Sequence, residues 1–381
     1  MSINLLRVVE ENIGGTYTHL ALLDRYLIES GRIGLIHTVS VLGQSSGTNL
    51  DERIVHHSIN ERKIDHNLRR SLGISSQVKA FVTIDSLLEE IGFDLMHIHS
   101  PHTFIANLAT IAALRNGIPI VITYHGGQGS RFYPISVMKI NAFLPKLIAR
   151  KKLAISIETK RLLGYDAEIV GVPVDSSMFN WDGRNYFAQI TSRPDEKIIF
   201  YPARINPVKG QLDLVYAIRQ LSSSLNEPFK VVMAGEVNDS DYDRKLREEI
   251  KNLGLDERIV ILEQIPFSQM GRAYHGAYVL AFPTKSEGLG KIIIEGGLCG
   301  VPTIAYAVGG VPELIIHGRN GYLVPKSDIT GMADCLASLL VNQSQRGLLG
   351  RTAREDYSSK FDARVVAQKN LNAYLEILQK H

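Results

Sequence analysis

Short apolar runs recur along this chain, and they alternate with segments whose apolar residues return every three to four positions. Runs near 3–9, 35–42, 80–84, 94–99, 118–124 and 153–157 read as buried strands, while Tyr17 to Ser30 and Phe104 to Asn116 read as helices. Strands that are apolar on both faces and alternate with helices predict a parallel sheet covered on both sides. Gly171-Val172-Pro173-Val174-Asp175 closes this half, and polar stretches through Asn180 to Arg184 and Thr191 to Pro194 read as a linker. The alternation then restarts, with strands expected at 197–203, 229–234, 258–262, 278–282, 302–306 and 322–325. Phe361, Val365, Val366, Leu371, Tyr374, Leu375 and Leu378 have the spacing of a final amphipathic helix. The pattern predicts an α/β protein of two doubly wound domains, with the first ending near residue 175.

At 381 residues the chain is long for one core, which agrees with two domains. Hydrophobic content of 45%, charged content of 21% and a net charge of +3 fit a globular protein without a global field for nucleic acid. Two cysteines, Cys299 and Cys335, make no disulfide framework and suit a reducing, cytoplasmic setting. No stretch approaches the ~20 apolar residues of a membrane-spanning helix, so any membrane contact is expected to be peripheral.

The densest chemistry lies between the strands expected at 278–282 and 302–306. Ser286-Glu287-Gly288-Leu289-Gly290 forms a glycine-punctuated turn, and Lys291 to Leu298 continues as a helix carrying Glu295. A helix N-terminus offers free N–H groups and a positive dipole end, which favours phosphate. Glu295 falls roughly 7 Å along the axis from Gly290. The loop adds more, so the two carboxylates suit opposite ends of an extended anionic ligand better than a glycosidase pair, which needs about 5–9.5 Å. Arg204 and Lys209 follow the first strand of the second half, where open parallel sheets bind ligands. Two fixed cations there would neutralise a diphosphate. Gly14 and Gly15 follow the first strand of the chain, without the G-x-G-x-x-G dinucleotide fingerprint.

His125 ends the strand at 120–124. His97 and His99, two apart on a strand, share a face; His99 and His102 either line a ligand site or are satisfied structural histidines. No convergent ligand shell is read for a metal. Asp239-Ser240-Asp241 has the D-x-D form but opens a helix, so capping accounts for it. Between 131 and 161 stand eight basic residues, Arg131 among them, against the single acid Glu158, interleaved with Phe132, Tyr133, Phe143, Leu144 and Leu147. Such a segment reads either as an anionic-membrane surface or as a core-facing helix with a solvated basic side.

Glu287 and Glu295 match the E-x7-E motif of retaining GT-B glycosyltransferases of the family 4 type (glycosyl transferases group 1). Arg204, Lys209 and Gly210 resemble that family's R-x4-K-G element, and Thr123-Tyr124-His125-Gly126 its T-x-H-G element. The resemblance covers nearly the whole chain. It implies two Rossmann-like domains facing a cleft: 1–175 plus a return helix at 361–381 for the acceptor, and 176–360 for a nucleoside-diphosphate sugar, UDP-linked in this reading. It implies metal-independent hexosyl transfer with retention and no cofactor. Arg204, Lys209 and Gly288 would stabilise the leaving diphosphate, Glu287 would position sugar hydroxyls, Glu295 would bind the ribose and His125 would sit beside the sugar. Gly14, Gly15, Leu289, Gly290 and Glu263 join the donor side, and His99, His102 and Arg131 the acceptor side. The expected acceptor is a lipid-linked or polysaccharide-assembly glycan, with a small diffusible molecule second, and the expected location is the cytoplasm or the inner membrane face. Two departures stand out: Glu263 or Gln264 replaces a glycine near the base, and the N-x-V-D element reads Val172-Pro173-Val174-Asp175, without its asparagine. A non-hydrolysing nucleotide-sugar epimerase and a silent GT-B-like binding module are the alternatives.

Overall fold

The computed structural model describes residues 2–12, 14–43, 51–60, 74–125, 142–164, 166–179, 183–191, 193 and 195–379. Its elements run β1 (Ile3–Asn12), α1 (Gly14–Glu29), β2 (Ile33–Gly43), β3 (Ile54–Asn60), α2 (Ile74–Glu90), β4 (Leu95–His99), α3 (Phe104–Arg115), β5 (Ile120–Tyr124), α4 (Phe143–Ile148), β6 (Lys151–Ala154), α5 (Ile157–Leu163) and β7 (Glu168–Ile169). They continue with β8 (Lys197–Pro202), α6 (Gln211–Ser224), β9 (Phe229–Ala234), α7 (Ser240–Asn252), β10 (Ile259–Leu262), α8 (Phe267–Gly276), β11 (Val279–Phe282) and α9 (Lys291–Leu298). The chain closes with β12 (Thr303–Tyr306), α10 (Val311–Leu314), β13 (Gly321–Val324), α11 (Ile329–Val341), α12 (Gln343–Phe361) and α13 (Ala363–Leu378). It divides into two units, Met1–Pro173 with Ala363–His381, and Val174–Asp362.

In the first unit the strand order among described residues is β3-β2-β1-β4-β5-β6-β7, all parallel. The two-residue repeat decides which helix each side chain meets. Leu6, Val8, Met96, Ile98, Ile120 and Ile122 pack with Ala80, Ile84 and Ala109 of α2 and α3. Ile3, Leu5, Leu95 and Val121 point to the other face, against Leu23 and Leu27 of α1 and Leu371, Tyr374 and Ile377 of α13. The final helix is therefore part of the first unit's core. Each fully buried leucine or isoleucine on it contributes on the order of 1.5–3 kcal/mol.

The run at 80–84 is helical, not a strand: it lies inside α2. Ala80-Phe81-Val82-Thr83-Ile84 looks strand-like because β-branched and aromatic residues crowd it. Its buried positions, Ala80, Ile84 and Leu87, instead follow helical spacing, and Val82 is exposed. Strand β3 was hidden because His56 and His57 interrupt its apolar run.

The second unit has the order β10-β9-β8-β11-β12-β13, also parallel. In each sheet the order reverses beside the first strand, between β1 and β4 and between β8 and β11. Connections leaving such a pair diverge to opposite faces and open a crevice beyond the carboxyl ends of the strands.

Candidate active site

The two turns that leave β8 and β11 meet at the reversal of the second sheet. After β8, Asn206 caps a short 3-10 turn, Pro207–Lys209, by accepting from the Lys209 N–H at 3.2 Å. Tyr201 donates its hydroxyl to the Lys209 carbonyl at 2.5 Å. Gly210 then takes φ +70, and a Cβ there would lie 2.1 Å from the Pro283 carbonyl oxygen. So the first turn is laid directly on the second. Lys209 Nζ consequently reaches Glu287 Oε2 at 2.9 Å, with the side chains 18% and 21% exposed. The other oxygen, Oε1, accepts from the Gly288 N–H at 3.1 Å. Arg204 is exposed and makes no ion pair among the described residues; its carbonyl accepts from Gln211 Nε2 at 2.9 Å. Gly288, Leu289 and Gly290 lead into the N-terminus of α9.

The structure thus brings Arg204, Lys209, Glu287 and the start of α9 to one place. Lys209 is already tied to the carboxylate, so an incoming phosphate would share it with Glu287, whereas Arg204 is open. Such a pair is preorganised: it holds both groups still before a ligand arrives.

Glu295 sits one turn into α9 and is buried. Its Oε2 accepts from the Tyr274 hydroxyl of α8 at 2.6 Å, and its Oε1 lies 3.6 Å from Lys291 Nζ. Burial raises its carboxyl above the usual range, while Lys291 and the Tyr274 bond oppose the rise. Lys291 stands in the first turn of α9, where the helix dipole disfavours a cation. Its pairing with Glu295 and its position 5.7 Å from the ring centroid of half-exposed Phe267 explain it. That unfavourable lysine was the unread sequence signal for a Glu295 support. Gly296 leaves room for Leu280, whose Cδ1 would be 2.2 Å from an added Cβ. Glu263 is exposed just past β10.

In the first unit, Gly14 and Gly15 begin α1 beyond β1. The registers Arg7↔His97 and His97↔Val121 place Arg7 and His97 on neighbouring strands, on the face toward α1 and α13. Arg7 is fully buried and pairs with buried Asp24 of α1. His97 has Tyr374 of α13 at Nδ1 and Thr123 at Nε2, both at 2.7 Å. One step further along the strands, His99 Nδ1 lies 2.6 Å from His125 Nε2. The His97 and His99 ring centroids lie 4.0 Å apart with the planes tilted by 34°, and His19 of α1 stands edge-on to His125 at 4.7 Å. Burial first, and the nearby Arg7 cation second, hold His125 down to about 4. Burial also takes His97 and His99 well below the usual range and His102 to about 4. These rings are neutral at pH 7. Arg7, Asp24, His19 and Tyr374 were not anticipated, although an arginine inside Leu5-Leu6-Arg7-Val8-Val9 is a visible anomaly.

Arg131 lies outside the described residues. Of the basic segment, Lys151 pairs with Glu168 and Glu376, Lys160 with Asp166 and Arg161 with Glu158. At least three of its eight cations are therefore paired with acids, three of these acids lying beyond the segment. Phe143 and Leu147, one turn apart on α4, are exposed. Asp239 accepts from the Tyr242 N–H at 2.9 Å as the N-cap of α7, which accounts for the D-x-D pattern.

Residues 182–356 match the family model of glycosyl transferases group 1, and residues 13–163 match that of Glycosyltransferase Family 4. The chain belongs to this glycosyltransferase family. Among curated relatives, N-acetyl-alpha-D-glucosaminyl L-malate synthase of Bacillus anthracis is 26% identical over 307 residues, covering 75% of each chain. D-inositol 3-phosphate glycosyltransferase of Mycobacteroides abscessus is 30% identical over 202 residues, 51% of this chain and 44% of that one. The second match thus spans under half of that relative's length. Among solved structures, Anabaena HepE in complex with UDP and glucose superposes with a TM-score of 0.78 at 19% identity, over 97% of this chain and 98% of that one. The group 1 chain accordingly has the GT-B fold, with its matches to the family models spread over both units.

Proposed function

We propose that this glycosyltransferase moves a hexosyl group from a nucleoside-diphosphate sugar, with UDP as the carrier, to an acceptor hydroxyl with retention at the anomeric carbon. The observation that carries the reading is the Lys209–Glu287 pair at the sheet reversal, flanked by exposed Arg204 and the start of α9. Two cations and a helix N-terminus suit a diphosphate. The diphosphate gains negative charge as it leaves, and these groups stabilise that charge without a metal. Glu287 would meet the sugar hydroxyls next to Lys209. Glu295, anchored by Tyr274 and Lys291, would accept from the ribose, and His125 would contact the sugar as a neutral group. UDP is favoured because Anabaena HepE binds UDP and glucose in the same fold.

The acceptor is proposed as a lipid-linked or polysaccharide-assembly glycan, met by the first unit at the inner face of a membrane; exposed Phe143 and Leu147 support it. A small acceptor is the second reading. It is favoured by the relatives named for L-malate and D-inositol 3-phosphate.

Thermal shifts against UDP-, GDP- and ADP-sugars test the donor. A ligand at 100 times its Kd stabilises the native state by about 2.7 kcal/mol. A raised Tm with a UDP-sugar, lost in Arg204→Ala, is expected; no shift with any of the three sinks the reading.

A further inference from the structure

The two-residue repeat of β4 and β5 sets His99 and His125 side by side, just past His97 and Thr123. The 2.6 Å contact between His99 Nδ1 and His125 Nε2 needs one proton shared by two neutral rings. The far side of His99 decides which ring supplies it. His99 Nε2 is buried and has no hydrogen-bond partner among the described residues. If His125 supplied the proton, His99 would carry its own on Nε2 and bury an unsatisfied N–H. If His99 supplies it, Nε2 is only an unused lone pair. Orphaned buried N–H donors are rarer than under-used acceptors, because an unmet donor costs its full desolvation.

We propose that His99 is a positioning residue whose Nδ1–H fixes His125 as the neutral Nδ1–H tautomer, so that His125 meets its ligand as a hydrogen-bond donor rather than as a base or a cation. This rests on the reading that His125 touches the transferred sugar. A neutral donor holds a sugar hydroxyl without exchanging charge while the diphosphate departs.

The surroundings act in the same direction. Arg7 of β1, His19 of α1, His97 of β4 and His102 beyond β4 face the pair from the packed elements, and Tyr374 of α13 stands behind them, bonded to His97. Asp24, the nearby acid, is matched to Arg7. None of these supplies a free negative charge that would draw a second proton onto the rings.

The test is long-range 1H–15N NMR on the histidine-labelled full chain, without ligand, from about pH 6 to 8. His125 is assigned by the signal missing in His125→Asn. The expected result is a neutral, Nδ1-protonated His125 throughout. His99→Phe keeps a ring but removes the donor, so His125 should lose that tautomer. His99→Asn places an amide N–H near the Nδ1 position and should restore it. An Nε2–H tautomer in the parent, or a His125 signal unchanged in His99→Phe, overturns the proposal. Turnover of UDP-glucose separates this from the donor reading. Loss of the relay in His99→Phe should lower kcat by ~10-fold or more, and His99→Asn should lower it by less. If the NMR result holds but His125→Asn turns over normally, the sugar contact falls while the His99–His125 relay stands.

Discussion

Gly210→Ala should unfold the second unit more easily than its size suggests. Two costs add. An alanine at φ +70 occupies the left-handed region, at about 1–2 kcal/mol. The new Cβ would stand 2.1 Å from the Pro283 carbonyl oxygen, so the turns after β8 and β11 must part by roughly 1 Å, and such overpacking costs about 1–3 kcal/mol. The sum is about 2–5 kcal/mol, or a drop of about 1 M or more in the urea midpoint at an ordinary slope. Gly254→Ala is the control: φ is +64 there, but nothing lies within 4 Å of the added Cβ, so only the backbone cost remains. Urea titration followed by circular dichroism measures both. The same separation of the turns stretches the Lys209–Glu287 pair, so donor affinity should fall in Gly210→Ala and hold in Gly254→Ala. Equal midpoints for the two variants would refute the close approach of the two turns.

Tyr274→Phe should make stability fall more steeply with pH. The folded Glu295 carboxyl already lies above its unfolded value near 4.5, so the native state holds the extra proton, and stability declines as pH rises through that interval. Removing the Tyr274 bond extends the interval upward, and a Tm-versus-pH curve parallel to the parent's would contradict this. Transfer should survive excess EDTA, while Arg204→Ala costs roughly 3 kcal/mol or more in kcat/KM; loss in EDTA restored by Mn²⁺ would show that a metal does this work. Phe143→Ser with Leu147→Ser should weaken co-sedimentation with anionic vesicles; parental binding by the double variant would remove α4 from any membrane contact.

The apolar runs and helical patterns made the second sheet legible, because its strands are short and apolar, most of them beside a glycine or proline. The first sheet was less so: the apolar run of α2 imitates a strand, and the two histidines of β3 disguise one. The glutamate pair and the R-x4-K-G turn could be named from spacing, since the sheet reversal forces the β8 and β11 turns together. What spacing could not show was who partners whom. Lys209 is tied to Glu287 across 78 positions, and His97 to Tyr374 across 277. Such pairings depend on tertiary register, not on local periodicity. Glu295 likewise reads as a free ligand in sequence; Lys291, one helical turn before it, was a legible partner, but only the fold reveals Tyr274.

The central claim is that Glu287 and Glu295 serve one donor in different ways, and steady-state kinetics of Glu287→Gln and Glu295→Gln with the identified donor test it most directly. Glu287 is paired with Lys209, and in the proposed reading it meets the sugar where charge and geometry change in the transition state, so its loss should mainly lower kcat. In the proposed reading Glu295 holds an unreacting ribose, so its loss should mainly raise the donor KM, by about 1–3 kcal/mol, with Glu295→Ala worse than Glu295→Gln. Folded variants that both keep near-parental kcat and KM would contradict the account and leave the two glutamates as ordinary residues of a βαβ unit.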